Sequence, residues 1–187
     1  LYNRAFNASY TGGDGVSMVN ASHPNFAGGT QSNRSATDAD FSEAALEAAV
    51  IQMQKWTNDR GLKINVMPNK LIVPVDLTFE VERILKTPGQ TGVSPGATSG
   101  GGLNEINAVQ RMGLFPGGVA INNYLTDQDA WFIRTNMTKD GLKMFNRRNM
   151  EFTIDNDFET ENAKYKATER YSVGWTDWKA IWGSAGS

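Results

Sequence analysis

Ser94 is the residue whose surroundings come nearest to a nucleophilic site. Residues 92–96 match G-x-S-x-G, the sharp turn that exposes a nucleophilic serine in α/β-hydrolases. That turn needs a strand before it and a helix after it, whereas both flanks here are rich in Gly, Thr and Ser. In addition, the one histidine, His23, precedes the serine. The composition therefore favours a flexible loop, and a hydrolase with Ser94 as its nucleophile is an alternative.

Asp14 and His23 form a second candidate pair. Aspartate can orient an imidazole for proton transfer, which is the chemistry of many hydrolases. No third member of such a set is evident in the sequence. The segment 12–15 reads Gly-Gly-Asp-Gly, which is typical of a turn in which glycine takes positive φ and the aspartate bonds its own backbone. The pattern favours a turn, and an Asp14/His23 hydrolase is the alternative.

Four carboxylates alternate along the chain at Asp155, Asp157, Glu159 and Glu161. Their oxygens could hold Ca²⁺, but strand-like alternation and the missing loop glycine depart from the EF-hand pattern. We therefore expect a solvated turn. The phosphate-binding pattern G-x-x-x-x-G-K-[ST] and the dinucleotide pattern G-x-G-x-x-G are both absent, so the sequence predicts neither a bound metal nor a cofactor.

Two groups of residues near the end of the chain are candidate subunit contacts. Arg147 and Arg148 are adjacent cations, which form either a pair of surface charges or a contact to phosphate. Trp175, Trp178 and Trp182 would leave a large apolar patch exposed if the tail extended into water. We expect them to pack either on this chain's own sheet or on a neighbouring subunit, because tryptophan is favoured at interfaces.

Composition limits the classes of function. The 187 residues, 40% apolar, fit one compact domain or two small interlocked lobes. A net charge of −2 excludes a general basic surface for nucleic acid, and no apolar run is long enough to cross a bilayer. The absence of cysteine and the single histidine exclude thiolate chemistry, disulfides and imidazole metal clusters. Residues 1–6 resemble no signal peptide, so we expect a C-terminal part of a longer protein.

The sequence of the first half of the chain predicts a loop, a helix, two short strands and a second helix, in that order. Residues 7–36 are rich in Gly, Ser, Asn and Thr and predict an extended loop ordered by its neighbours. A capping box at residues 40–43 predicts a helix, stopped by Gly61. Strands are predicted at 62–66 and, after a turn at 67–70, at 71–73, where Pro74 ends the ladder. Thr78 caps a second helix, closed by Pro88. The apolar positions of the first helix are Leu46, Ala49, Val50, Met53 and Trp56.

The second half predicts strands. Six glycines and two prolines within residues 87–102 predict a mobile loop. Two strands follow at 118–122 and 130–134, and then a pair at 150–154 and 163–175 turned at 155–157. The last strand is two-faced: Tyr165, Ala167, Tyr171, Val173 and Trp175 share one face, and Lys164, Lys166, Thr168, Arg170 and Ser172 share the other. Glu169 lies on the apolar face, so we expect it to have a partner such as an arginine, because an unpaired buried carboxylate is costly.

Several of these segments, taken in order, resemble the major capsid (head) proteins of tailed bacteriophages. The resemblance extends from about Gly12 to Gly183. It is carried by the segments 13–15 with 23–24, 71–74 with 83–85, 124–127 with 131–132, 141–142 with Phe145, 155–160, and 170–171 with 174–178.

This resemblance implies an α+β chain with the Hong Kong 97-type fold, which has an axial and a peripheral domain. Residues 37–135 would form the axial-like domain, with the loop 87–102 near the centre of a capsomer. Residues 136–187 would form the returning strands of the peripheral-like domain, to which the loop-rich segment 1–36 also belongs. The family's N-terminal arm, extended loop and spine helix would precede Leu1. The resemblance assigns no crosslinking residue to this sequence.

The resemblance also implies a non-enzymatic subunit that assembles with itself into hexamers and pentamers of an icosahedral head. Scaffold, portal and packaged double-stranded DNA would be its partners, with no membrane and no small-molecule substrate. The protein would be assembled in the cytoplasm of a bacterial host and reside in the virion. The alternatives are the hydrolase based on Ser94 or on Asp14 and His23, and a tail module that binds a host glycan through exposed Trp and Tyr.

Overall fold

A four-stranded sheet organises the chain in the computed structural model, which describes residues 1–89, 106–156 and 159–187. Its strands, in spatial order, are β4 (Val119–Ile121), β3 (Pro68–Val73), β5 (Trp131–Thr135) and β8 (Ile181–Ser184). β3 and β4 are parallel, and the other neighbours are antiparallel. The sheet therefore joins the middle of the chain to its last residues.

The strands predicted at 118–122 and 130–134 are confirmed as β4 and β5. The strand predicted at 62–66 is wrong, because that segment makes only a single bridge, between Thr57 and Lys63. The turn predicted at 67–70 is also wrong, because β3 begins at Pro68. Proline can occupy the first position of a strand, since its missing N–H removes no internal ladder bond there. Leu62 is 64% exposed, so the alternation of apolar residues at 62–66 does not mark a buried face.

Helix α1 (Glu43–Gln54) begins where the sequence predicts it but ends at Gln54, before the predicted stop at Gly61. Ser42 is the N-cap, and its hydroxyl oxygen accepts from the backbone N–H of Ala45 at 3.2 Å. Glu43 is the first helical residue, so the predicted capping box does not form. The helix ends before Trp56, which is nevertheless buried, as are the four apolar positions within it: Leu46, Ala49, Val50 and Met53.

Two further helices are α2 (Thr78–Lys86) and the short α3 (Ala108–Met112). The N-cap of α2 is Leu77 rather than the predicted Thr78, whose hydroxyl donates instead to the carbonyl of Val75 at 2.6 Å. The sequence did not predict α3, whose N-cap side chain is that of Asn107. None of the described helices is long and apolar enough to cross a membrane.

The central sheet is covered on both faces. Trp131 and Ile133 on β5 point into a core formed with α1, α2 and α3, whereas Phe132 points into a second core formed with the N-terminal segment. This segment is loop-rich as predicted, with only two short paired strands, β1 (His23–Pro24) and β2 (Thr30–Gln31). The N-terminal segment contributes the fully buried residues Ala5, Met18 and Val19 to the second core.

A long hairpin extends between β5 and β8 in the sequence. Its antiparallel strands are β6 (Leu142–Asn156) and β7 (Ala163–Trp175), so β6 begins eight residues before the predicted start at Met150. A strand of 15 residues is about 50 Å long. We call this hairpin, residues 142–175, the arm. Nearly all side chains of β6 and β7 are exposed, in contrast to those of the central sheet.

Candidate functional site

Some of the candidate residues lie outside the part of the chain that the structure describes. Ser94 and residues 90–102 of the predicted loop lie outside the described residues, so the predictions of a nucleophile and of a mobile loop stay predictions. Asp157 also lies outside them. Among the described residues, no three His, Asp or Glu side chains come together as a metal site.

Asp14 and His23 are brought together as the catalytic alternative requires. Nδ1 of His23 lies 2.5 Å from Oδ2 of Asp14, and the imidazole is fully buried. The pair lies in the N-terminal segment, where Asp14 belongs to the glycine-rich turn and His23 begins β1. Gly15 adopts a φ of 80°, as the turn alternative predicts. The turn and the pair are therefore both present.

The other ring nitrogen of His23 is also occupied. Nε2 lies 2.9 Å from Oδ1 of Asn33, whose Nδ2 donates to the backbone carbonyls of Met18, Trp178 and Ile181 at 2.9, 3.2 and 3.0 Å. Three carbonyl acceptors fix the orientation of the amide, so its oxygen faces the histidine and Nε2 must carry a proton. A general base needs a free ring nitrogen that reaches substrate, and His23 offers none.

His23 therefore acts as a structural link. Its ring stacks on the indole of Trp178, with centroids 4.7 Å apart and planes inclined by 12°. Together with Asp14 and Asn33, it connects the N-terminal segment to the tail of the chain. The hydrolase based on Asp14 and His23 is not favoured by this geometry.

A second link between the same segments is the ion pair of Arg34 and Asp38. Nε of Arg34 donates to Oδ1 of Asp38 at 3.0 Å, and the second guanidinium nitrogen contacts Oδ2. The hydrogen bond from Arg34 lowers the pKa of Asp38 below its ordinary value, and it raises that of Arg34. Asp38 also accepts from the N–H of Ala185, so the pair holds the end of the tail.

The tail tryptophans follow the first of the two predicted alternatives. Trp178 and Trp182 are 6% and 1% exposed, and Nε1 of Trp182 donates to Oε1 of Gln52 at 3.0 Å. Because this chain's own core covers them, neither side chain is available as a surface contact. Trp175 is half-buried at the base of the arm. Of the predicted contact residues, Trp175, Arg147 and Arg148 remain as candidates.

The arm carries an exposed apolar face. Its register places Phe152 opposite Ala167, Ile154 opposite Tyr165, and Met144 opposite Val173, which confirms the predicted division of β7 into two faces. These side chains are 48–78% exposed where they are large. We call this set the apolar face of the arm: Met144, Phe152, Ile154, Tyr165, Tyr171 and Val173. A contiguous exposed apolar surface typically marks an interaction site.

Glu169 lies on the same face, between Ala167 and Tyr171. The sequence predicts a buried carboxylate with a partner such as an arginine. The predicted burial is wrong, because Glu169 is exposed. Because water solvates an exposed carboxylate, Glu169 needs no arginine partner within this chain.

Arg147 and Arg148 lie on β6, where the pairing of the arm is irregular. The register shifts between Asn146 and Arg148, and again before Glu151. These shifts bring Arg148 directly opposite Arg170 of β7, so three arginines meet at one place. The sequence placed Arg170 on the polar face without assigning it to this cluster. The sequence alone shows that Arg147 and Arg148 are adjacent cations. Only the register of the opposite strand shows that Arg170 joins them.

A family of proteins described as phage capsid proteins matches residues 3–184, which leaves only two residues unmatched at the start and three at the end. No curated protein matches the chain. The family match agrees with the order of segments on which the sequence resemblance depends, and with the mixed helix and strand content of the structure. This chain belongs to the phage capsid protein family.

Proposed function

We propose that this chain is the shell-forming subunit of a phage head. Its copies self-assemble into an icosahedral shell that encloses double-stranded DNA, and the protein has no catalytic activity. The membership of a structural family supports this proposal. The observation that carries it furthest is the apolar face of the arm, which no other element of the described chain covers.

The free energy available from burying the apolar face of the arm suits a contact that is repeated between many subunits. Burying a large apolar side chain gains about 1.5–3 kcal/mol, whereas association costs several kcal/mol in lost freedom of motion. Six partly exposed side chains are therefore enough for a modest contact but not for a very tight one. In a closed shell each contact is multiplied by symmetry, so modest contacts of about 800 Å² per partner suffice.

The proposal includes the Hong Kong 97-type layout. Residues 37–135, which contain the three helices and most of the central sheet, correspond to the axial-like domain. Residues 136–187 correspond to the peripheral-like domain, and the arm supplies its long strands, although β8 returns to the central sheet. Segment 1–36 is assigned to the peripheral region. The loop at 87–102 is assigned to the centre of the capsomer.

The partners follow from the same proposal. Copies of the chain form hexamers and pentamers, and scaffold, portal and packaged DNA contact the shell. Assembly takes place in the cytoplasm of the bacterial host, and the mature protein is part of the virion.

Electron microscopy tests the proposal directly. The full-length protein is expressed in bacteria, purified and imaged in negative stain, with light scattering to measure its mass. We expect uniform closed shells. A full-length protein that stays strictly monomeric at all concentrations contradicts the proposal.

The alternatives have separate tests. The hydrolase alternative requires that Asp14→Ala, His23→Ala or Ser94→Ala abolish an activity against esterase and glycosidase substrates, whereas we expect no activity before or after substitution. The glycan-binding alternative is weakened by the burial of Trp178 and Trp182. A glycan array on which the protein binds no glycan would exclude the glycan-binding alternative.

A further inference from the structure

Three guanidinium groups lie together midway along the arm. Arg147, Arg148, Thr168, Glu169 and Arg170 line an open groove of about 460 Å³. Arg148 and Arg170 are direct partners across the two strands. Like charges directly opposite each other destabilise a strand pair, so this position is unfavourable for the isolated arm.

The chain itself provides little compensation for these charges. Within the described residues, the one ion pair of the three arginines joins Nε of Arg148 to Oε2 of Glu151, at 4.0 Å. Both side chains of that pair are more than half exposed, so its contribution is small. Arg147 and Arg170 make no ion pair in the described part of the chain.

The backbone holds this arrangement in place. The two register shifts flank Arg148, and the first leaves Arg147 as an extra residue on β6. Such irregularities bend a strand and redirect its side chains, and they commonly have a function. Regular continuation of the register from Asn146 opposite Tyr171 would place Arg147 opposite Arg170 and turn Arg148 to the other face of the arm. The geometry thus concentrates positive charge at one place on an otherwise mixed surface.

We propose that this groove binds carboxylates of a second copy of the chain, as one contact between neighbouring subunits. This inference rests on the proposed function and adds the chemistry of one of its contacts. Arginine presents a planar fork of N–H donors that matches a carboxylate, and such paired hydrogen bonds are among the stronger polar contacts in proteins. A carboxylate between Arg148 and Arg170 would relieve their repulsion.

Charge favours a copy of this chain over nucleic acid as the occupant. Since the three arginines contribute +3 to a net charge of −2, the rest of the chain carries −5 and offers an excess of carboxylates. Binding to a phosphate backbone depends on many cations acting together, whereas this groove contains three cations and the anion Glu169. Glu169, which lines the groove, also lies on the apolar face of the arm, so one protein partner can contact both.

Charge reversal tests the groove. The double substitution Arg148→Glu and Arg170→Glu in the full-length protein should lower the yield of shells by about tenfold or more, because like charges then meet across the contact. The unfolding midpoint should not fall, since the original pair is itself repulsive. The control is Lys139→Glu with Lys55→Glu, which changes the net charge equally at two exposed positions outside the arm. Equal yields from wild type and the Arg148/Arg170 variant, or equal losses in both variants, overturn the inference.

Crosslinking identifies the occupant. The substitution Arg170→Lys introduces an amine that a carbodiimide can join to a carboxylate in contact with it. Copies labelled with ¹⁵N are mixed with unlabelled copies before assembly, and the crosslinked peptides are analysed by mass spectrometry. We expect peptides of mixed label that join position 170 to an Asp or Glu of the other copy. Peptides joined only within one copy, to Glu169 or Glu151, overturn the inference.

Two further outcomes separate the inference from its alternatives. If the Arg148→Glu and Arg170→Glu variant forms normal shells but packages less DNA, the groove contacts phosphate and the inference is wrong. If the wild-type protein forms no shells, the proposed function fails. The mixed-label crosslink still decides whether the groove joins two copies, because it requires only the association of two chains.

Discussion

The imidazole of His23 and the carboxylate of Asp14 form a buried pair, with Nδ1 and Oδ2 2.5 Å apart. Nε2 lies 2.9 Å from Oδ1 of Asn33, so both ring nitrogens of His23 have a partner within this chain. The stacked indole of Trp178 covers the imidazole ring. The Asp14–His23 pair resembles part of a catalytic site, but its role is structural: it connects the N-terminal segment to the tail of the chain.

Asn33→Ala should destabilise the fold strongly. The substitution removes the acceptor of His23 and leaves three buried carbonyls without their shared donor, so we expect a loss of about 3 kcal/mol in the free energy of unfolding. Urea denaturation measures the loss. Asn156→Ala, at the exposed end of β6, is the matched control and should change stability by less than about 0.5 kcal/mol. Equal midpoints for the two variants would contradict a structural role of Asn33.

Asp38 should make stability depend on pH in the acid range. Because the folded-state pKa of Asp38 is lowered by Arg34, its contribution is present above the unfolded-state pKa and is lost as pH falls through the folded-state pKa. Asp38→Asn should therefore cost about 1 kcal/mol at pH 7 and progressively less in more acid solution. Urea midpoints of both proteins across that range measure the difference. An unchanged difference would show that Asp38 does not titrate in this way, and Asp76→Asn serves as an exposed control.

Substitutions on the apolar face of the arm should separate assembly from folding. Phe152→Ser with Ile154→Ser should leave the unfolding midpoint nearly unchanged, because these side chains are 76% and 69% exposed. Their loss should nevertheless reduce the yield of shells by about tenfold or more, because apolar burial then no longer stabilises the contact. Electron microscopy and light scattering measure the yield. Thr153→Ala, on the opposite face of the same strand, should assemble normally.

Trp182→Ala should have the opposite effect. Its side chain is 1% exposed and lies against Trp131, with ring centroids 4.9 Å apart. Truncation should cost about 3–5 kcal/mol through lost apolar contact and the cavity left behind. Thermal unfolding followed by near-ultraviolet circular dichroism measures this effect. A variant that keeps its stability but loses assembly would place Trp182 at a subunit contact instead.

The local sequence was sufficient for the elements whose burial follows from their own periodicity. The apolar spacing of α1 correctly identified its buried residues, since one helix face meets the core wherever the helix docks. Alternation along β7 likewise identified the apolar face of the arm. It could not show that this face is uncovered, and for that reason the expected burial of Glu169 was wrong.

Pairing between distant segments decided the rest. β3 begins at Pro68 because β5 pairs with it, and that contact extends to Met67 and Asn136, which bond through backbone and side-chain atoms. The arginine groove depends on the register shifts of the arm, which no residue pattern specifies. Asn33 has no distinctive sequence context, and its importance comes from the carbonyls that surround it.

The sequence by itself determined the family, the class of fold and the side chains that each helix or strand presents together, because periodicity and residue type are local properties. Only the tertiary structure decided which of these surfaces the chain covers. It placed Trp178 and Trp182 in the core, engaged both ring nitrogens of His23 and left the arm exposed. Burial depends on what packs against a surface, and in this protein the segments that pack together are often more than a hundred residues apart in the chain.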